Sequence, residues 1–306
     1  MTGTYQNGLA EAGKAEDDPG LRHRMVEVEP GINLHVVEAG PENGPLVILL
    51  HGFPEFWYGW RRQIWALAEA GYHVLAPDQR GYGTSGKPPG IAAYTADRLA
   101  ADVLRLADRS GCDRFAVVGH DWGGIVAWWV ALTAPDRVER LVILNAPHPA
   151  TMRPYARQHP TQAVRSLYVL GFQIPQLPEL LIRWQGFRLA EQALTGTSRP
   201  GTFNAADLAR YREAWSRPGA LTAMLNWYRA LRRRVAPPTV RVRPPVLILW
   251  ADCDRFLEPG LAEAAGALCD QARILHVEDA SHWLQHEKPE LVSQQIEAFL
   301  GGMRTA

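Results

Sequence analysis

The sequence predicts an α/β chain: a mostly parallel sheet with helices on both faces, interrupted by a helical insertion. Three observations carry this. Short apolar, strand-like runs alternate with helix-period runs up to residue 144 and again after residue 244. Between residues 146 and 239 the alternation stops and no strand pattern is found. Finally, an apolar run, Phe115–Val118, passes into a helix-period run, Ile125–Leu132, through Gly119-His120-Asp121-Trp122-Gly123-Gly124. Glycines at that spacing suit a reversal too sharp for side chains.

The elements follow in order. Met25–Glu29 and Ile32–Val37 alternate around Pro30-Gly31 and read as a hairpin. Leu46–Leu50 and His73–Ala76 are continuously apolar, as central strands covered on both faces should be. A helix from about Trp60 to Glu69 ends at Ala70-Gly71, and a second runs from Tyr94 to Ser110 with Gly111 as its stop. After the Asp121 turn and its helix, Pro135-Asp136 breaks the chain and Val138–Leu144 is the next strand. The insertion holds helical stretches at Glu179–Gln185, Ala205–Ser216 and Leu221–Arg232. Then come a strand (Pro245–Trp250), a helix (Gly260–Leu268), a strand (Arg273–Val277) and a last helix (Pro289–Leu300). The expected organisation is a disordered polar tail over residues 1–20, a core over 21–145, a helical lid over 146–239 and the rest of the core over 240–306.

Composition narrows the function classes. The chain has 306 residues with 32 basic and 32 acidic side chains, so no global charge favours nucleic acid or an acidic surface as partner. Cys112, Cys253 and Cys269 have no pairing or metal spacing, which suits a reducing cytoplasm. The N-terminal residues have no apolar core of a signal peptide, and no run reaches membrane-spanning length. His282 and His286 stand four apart, but no Glu follows His282, so a zinc-binding His-Glu-x-x-His motif fails. No cofactor or metal is expected. Oligomeric state is left open, and a homo-oligomer is compatible with the sequence.

Candidate chemistry gathers at strand ends, where open α/β sheets bind ligands. Asp121 occupies the centre of a Gly-x-nucleophile-x-Gly elbow that usually holds Ser. Asp254 follows the strand ending at Trp250, and His282 the strand ending at Val277. An ionised aspartate attacks a polarised carbon without a base and leaves an ester. Hydrolysis of that ester needs a base, His282, held in one tautomer by an acid. The backbone N–H groups of Trp122 and Phe53 are the candidate oxyanion donors. Plainer readings stand beside these: Asp121 as a helix N-cap, Asp254 as a turn residue, and His51, His120 and His148 as loop braces. The run Arg229, Arg232, Arg233 and Arg234 reads as a solvated helix end.

These motifs together resemble the α/β-hydrolase-fold epoxide hydrolases of the soluble and bacterial type. The resemblance rests on His51-Gly52-Phe53-Pro54-Glu55-Phe56-Trp57-Tyr58-Gly59-Trp60, Asp78-Gln79-Arg80-Gly81-Tyr82-Gly83, the Asp121 elbow, and Ala280-Ser281-His282-Trp283. It covers roughly residues 25–300, with one departure: Ala251 and Asp252 stand where the family often has glycine and glutamate, which makes Asp252 a rival for the orienting acid, though position relative to Phe256-Leu257 favours Asp254. It implies an α/β-hydrolase fold, an epoxide and water as substrates, a vicinal diol as product, and two lid tyrosines that act as ring-opening acids. These are Tyr168, four residues before Phe172-Gln173-Ile174-Pro175, and Tyr228 in Asn226-Trp227-Tyr228-Arg229. Without the resemblance both tyrosines read as packing. Phe53, Trp122, Tyr168 and Tyr228 are also the expected substrate contacts, and Trp184, Phe187, Phe203, Trp215 and Trp227 suggest an apolar pocket. A haloalkane dehalogenase shares the aspartate nucleophile but commonly has Asn where Phe53 stands. A fluoroacetate dehalogenase wants Arg where Trp122 stands. A non-catalytic ligand receptor has no use for a water-activating base.

Overall fold

The computed structural model describes residues 20–233, 237–301 and 303; the expected tail, Gly20 apart, lies outside them, as does Arg234. Eight strands form one sheet in the order β1-β2-β4-β3-β5-β6-β7-β8. They are β1 (Arg22–Glu29), β2 (Ile32–Ala39), β3 (Leu46–Leu50), β4 (His73–Pro77), β5 (Phe115–His120), β6 (Val138–Leu144), β7 (Val246–Ala251) and β8 (Ala272–Val277). The hairpin β1–β2 is antiparallel, β2 lies antiparallel on β4, and all other neighbours are parallel. Every side chain of β3, β4, β5 and β7 is buried, which is why these segments read as unbroken apolar runs.

Helices α1 (Arg61–Glu69), α2 (Ala96–Arg109) and α3 (Trp122–Thr133) link the first parallel strands. Between β6 and β7 the described residues form helices and no strand of the sheet: α4 (Met152–Gln158), α5 (Pro160–Arg165), α6 (Tyr168–Gly171), α7 (Leu177–Thr197), α8 (Ala205–Ser216) and α9 (Ala220–Ala230). The chain closes with α10 (Gly260–Gly266), α11 (Leu284–Glu287) and α12 (Pro289–Leu300). Helix α1 packs beside α12, and α2 beside α3.

Two local differences from the sequence reading have physical causes. Helices α4, α5 and α6 have four to seven residues each, too short for a periodic signal, and Pro154 and Pro160 argue against helix until each is seen in the first turn. The stretch expected at Glu179–Gln185 continues to Thr197, with non-helical backbone at Trp184–Phe187.

Strands β5, β6, β7 and β8 run parallel to one another. Their carboxyl ends therefore meet at one edge of the sheet, and the residues just beyond them are Asp121, Asn145, Asp254 and His282.

Candidate active site

Asp121 is where β5 becomes α3. Its backbone sits at φ 51°, ψ −121°, and its side chain makes no hydrogen bond to the start of the helix. Helix capping therefore does not account for the acid. A non-glycine residue held there costs on the order of 1–3 kcal/mol, which the surrounding packing must offset. The glycines show how tight that packing is. A Cβ on Gly119 would lie 2.4 Å from the Gly123 carbonyl oxygen, and one on Gly123 would lie 2.1 Å from that of Leu50. On Gly52 it would stand 2.5 Å from Oδ1 of Asp121, so the loop after β3 closes over the carboxylate only because residue 52 has no side chain.

That loop supplies the first partner. The Phe53 N–H donates to Asp121 Oδ1 at 2.8 Å. The other oxygen, Oδ2, lies 3.7 Å from His282 Nε2. One oxygen is thus anchored and the other faces the imidazole. Of the two expected oxyanion donors, Phe53 makes its bond in this resting geometry and the Trp122 amide does not.

On its far side His282 Nδ1 lies 2.6 Å from Asp254 Oδ2. Asp254 is buried and well held: the N–H groups of Phe256 and Leu257 donate to Oδ1 at 2.7 and 3.1 Å, and Asn145 Nδ2 donates to Oδ2 at 2.8 Å. Burial opposes ionisation here, but the charge and hydrogen bond of His282, with these donors, keep the Asp254 carboxyl below its usual range. Burial likewise opposes a charge on His282, yet Asp254, then Asp121 and Glu55, bring its pKa up to about 9. The rival Asp252 faces away and pairs with His276 at 2.6 Å.

Above the elbow the two tyrosine rings meet edge to face at 6.1 Å between centroids. Tyr228 also stands on Trp122 at 4.9 Å and on Phe53 at 5.3 Å, and Tyr168 on Phe256 at 5.8 Å. Burial raises the pKa of both hydroxyls, and the negative charge of Asp121 raises them further, so both remain protonated donors at neutral pH.

Behind Asp121, His282 and Asp254 lies a further buried carboxylate. Glu55 accepts hydrogen bonds from His286 Nε2 at 2.6 Å, Tyr211 Oη at 2.7 Å and Gln285 Nε2 at 2.9 Å, and lies 3.3 Å from His120 Nδ1. His120 Nε2 in turn donates to the backbone carbonyl of His282 at 2.8 Å. Burial would raise the Glu55 pKa, but His286 and His120 hold it well below the carboxylate range. Desolvation first of all depresses His286, and Arg61 Nη1 approaches its Nδ1 at 3.1 Å. A neutral His286, receiving from Arg61 and donating to Glu55, satisfies both observations.

Asn145 and Glu55 escaped the sequence reading. Asn145 had a signal, since it directly follows β6; Glu55 lay within a motif whose acid looked like one more loop residue. Two other expectations are corrected. Arg229 is not on a solvated face: it is buried and forks onto Glu179 at 2.7 and 3.0 Å, with further bonds to the carbonyls of Phe172 and Ile174. Trp184 is not enclosed but 60% exposed, and it stands where the helix breaks. Trp215 and Trp227 are buried, their indole N–H groups bonded to the carbonyls of Pro54 and Arg80. Among the described residues no cluster of His, Cys, Asp and Glu has the arrangement of a metal site, and no helix is long and apolar enough to cross a membrane.

The family described as alpha/beta hydrolase fold matches residues 45–289. AB hydrolase superfamily protein YfhM of Bacillus subtilis (strain 168) is 46% identical, with 88% of this chain and 95% of that protein aligned. Epoxide hydrolase A of Mycobacterium tuberculosis is 37% identical across 92% of this chain and 97% of its own length. The crystal structure of a Bacillus megaterium epoxide hydrolase in complex with an inhibitor superposes with a TM-score of 0.82 at 29% identity, covering 91% of this chain and all of that one (100%).

Proposed function

The chain belongs to the α/β hydrolase fold family and is an epoxide hydrolase, and from that premise we propose that it works through a covalent ester on Asp121. The observation that carries this is the split environment of one carboxylate. Oδ1 is held by the Phe53 amide, while Oδ2 is free to attack and faces His282.

In the first half-reaction Oδ2 forms a bond to one ring carbon as the carbon–oxygen bond breaks. The departing oxygen takes a proton from Tyr168 or Tyr228, the other tyrosine donating a hydrogen bond. A placed acid of this kind contributes about 10²–10⁴-fold. In the second, His282 removes a proton from water, and the hydroxide adds to the Asp121 carbonyl carbon. The negative charge then resides on Oδ1 and is met by the Phe53 N–H, joined by that of Trp122 once the carboxylate changes shape. Collapse expels the diol with Oδ2 still attached, and His282 returns its proton to that oxygen. The proton left on the new carboxyl restores the tyrosine, so the sum is epoxide plus water to diol. Asp254 keeps Nδ1 of His282 as the donor side and leaves Nε2 for water.

The helices between β6 and β7 act as a lid that carries both tyrosines. The aromatic walls formed by Phe53, Trp122, Phe172 and Phe256 favour an apolar epoxide. No cofactor enters any of these steps. A single turnover of styrene oxide in ¹⁸O-water tests the scheme. The first diol should carry unlabelled oxygen from Asp121, with label entering only in later turnovers; full label in the first diol would overturn the ester.

A further inference from the structure

The helical segment after β6 turns an apolar surface outward. Leu170, Ile174, Leu177, Leu180, Leu181 and Trp184 are each between 46% and 65% exposed. So many large apolar side chains in one exposed stretch mark a surface with a partner. The backbone of α7 leaves helical geometry at Trp184–Phe187, where the indole is exposed. The same segment is strongly basic although the chain as a whole is neutral. Arg183 and Arg188, which flank Trp184 in α7, are exposed and form no ion pair with another described residue. The one acid between residues 146 and 190, Glu179, is held by Arg229. Tyr168 spans from this surface inward, 38% exposed at one side and in ring contact with Tyr228 at the other.

We propose that this face docks on an anionic lipid surface, lying on the bilayer with its leucines and Trp184 in the interface and its arginines at the headgroups. Apolar side chains, an interfacial Trp and flanking arginines are the combination such a surface recognises. A second copy of the chain fits less well. A two-fold interface brings the same positively charged patch of both copies together, with the one acid of the segment, Glu179, already held by Arg229. The inference deepens the epoxide reading and rests on it only for what the bilayer delivers: an apolar epoxide partitioned into lipid, entering beside Tyr168.

Co-sedimentation with vesicles made of equal parts phosphatidylglycerol and phosphatidylcholine tests it, with pure phosphatidylcholine vesicles as the comparison. Binding is expected to the anionic vesicles only and to weaken with added salt. The double variant Leu180→Ser, Trp184→Ser should lose at least about tenfold in vesicle affinity and keep wild-type turnover of dissolved styrene oxide. Arg183→Gln and Arg188→Gln should each cost about fivefold. No binding, or binding that the Leu180/Trp184 variant retains, overturns the proposal. So does sedimentation velocity showing a dimer that the same variant abolishes, since the face would then belong to a second copy. Vesicle binding needs no turnover, so its outcome and that of the isotope experiment are read separately.

Discussion

At the scale of single residues, the two oxygens of Asp121 have different neighbours, and the proposed mechanism gives each its own task. In that mechanism His282 is a base only after Asp121 has been alkylated. In the free protein burial acts against its charge, but the carboxylates around it raise its pKa to about 9, so the imidazole is protonated at neutral pH. Ester formation removes one of those carboxylate charges and lowers the pKa, so the imidazolium releases its proton to solvent before hydrolysis and regains one when Asp121 is free again. In terms of folding, the raised value means that His282 adds stability below about 6.5, the unfolded pKa, and that this stability is lost as pH rises through about 9. Substituting His282→Gln should leave alkylation intact and stop hydrolysis. Intact-protein mass spectrometry should then find the protein heavier by one epoxide after mixing. Unmodified protein with rapid turnover would remove His282 from the mechanism. The tyrosines give a graded result. Tyr168→Phe and Tyr228→Phe should each lower the rate of ester formation by about 10–100-fold, and the double variant by about 10³-fold or more. Single and double variants of equal activity would leave the ring oxygen without its acids. Because both hydroxyls are pushed to high pKa, neither should produce a basic limb in the pH profile below about 10.

At the scale of elements, the site exists because four parallel strands end together and one of them turns without room for side chains. This much was legible in the sequence: continuous apolar runs marked the buried strands, and Gly119 and Gly123 marked the turn, where a Cβ on the first would meet the Gly123 backbone and one on the second that of Leu50. Asp121, Asp254 and His282 were legible as residues placed just after strands. What holds them was not. Asn145 reaches Asp254 through a side-chain bond of 2.8 Å across 109 positions of sequence, and no local pattern announces such a pair. Arg229 was misread for the same reason, since a basic run at a helix end looks solvated until its long-range partner Glu179 is seen. Arg229 also bears on Tyr168. It bonds the carbonyls of Phe172 and Ile174, in the turn between α6, which begins with Tyr168, and α7. Removing one partner of a buried pair costs about 3 kcal/mol or more. Arg229→Gln should therefore loosen α6 and lower the ester-forming rate, with a much smaller effect on ester hydrolysis by His282. Transient kinetics separate the two steps, and an equal loss in both would show that Arg229 supports the fold without regard to Tyr168.

At the scale of the whole molecule, the sheet and the helical segment over it are joined by polar contacts, and Glu55 is at their centre. From the core side it is met by His286, Gln285 and His120, and from α8 by the Tyr211 hydroxyl. Around it Arg61 and the Tyr58 hydroxyl both bond Asp207, which also closes the capping box at the start of α8. A carboxylate this deep is stable only with all its donors in place, so its charge reports whether the helical segment is seated. Its lowered pKa fixes the sign of the pH effect. The stability it contributes is present above the unfolded value, about 4.3, and is lost as pH falls through the lower folded value. Glu55→Gln keeps the shape and removes the charge. The melting temperature at pH 7 should fall by about 2–6 °C, from a loss of about 1–3 kcal/mol, and its decline at acid pH should become shallower than in the parent protein. The substitution should also lower the pKa of His282, because Glu55 is one of the charges that raise it, and NMR titration of the imidazole would report this directly. A variant that melts like the parent at every pH, with His282 titrating unchanged, would mean that Glu55 neither seats the helical segment nor acts on the triad.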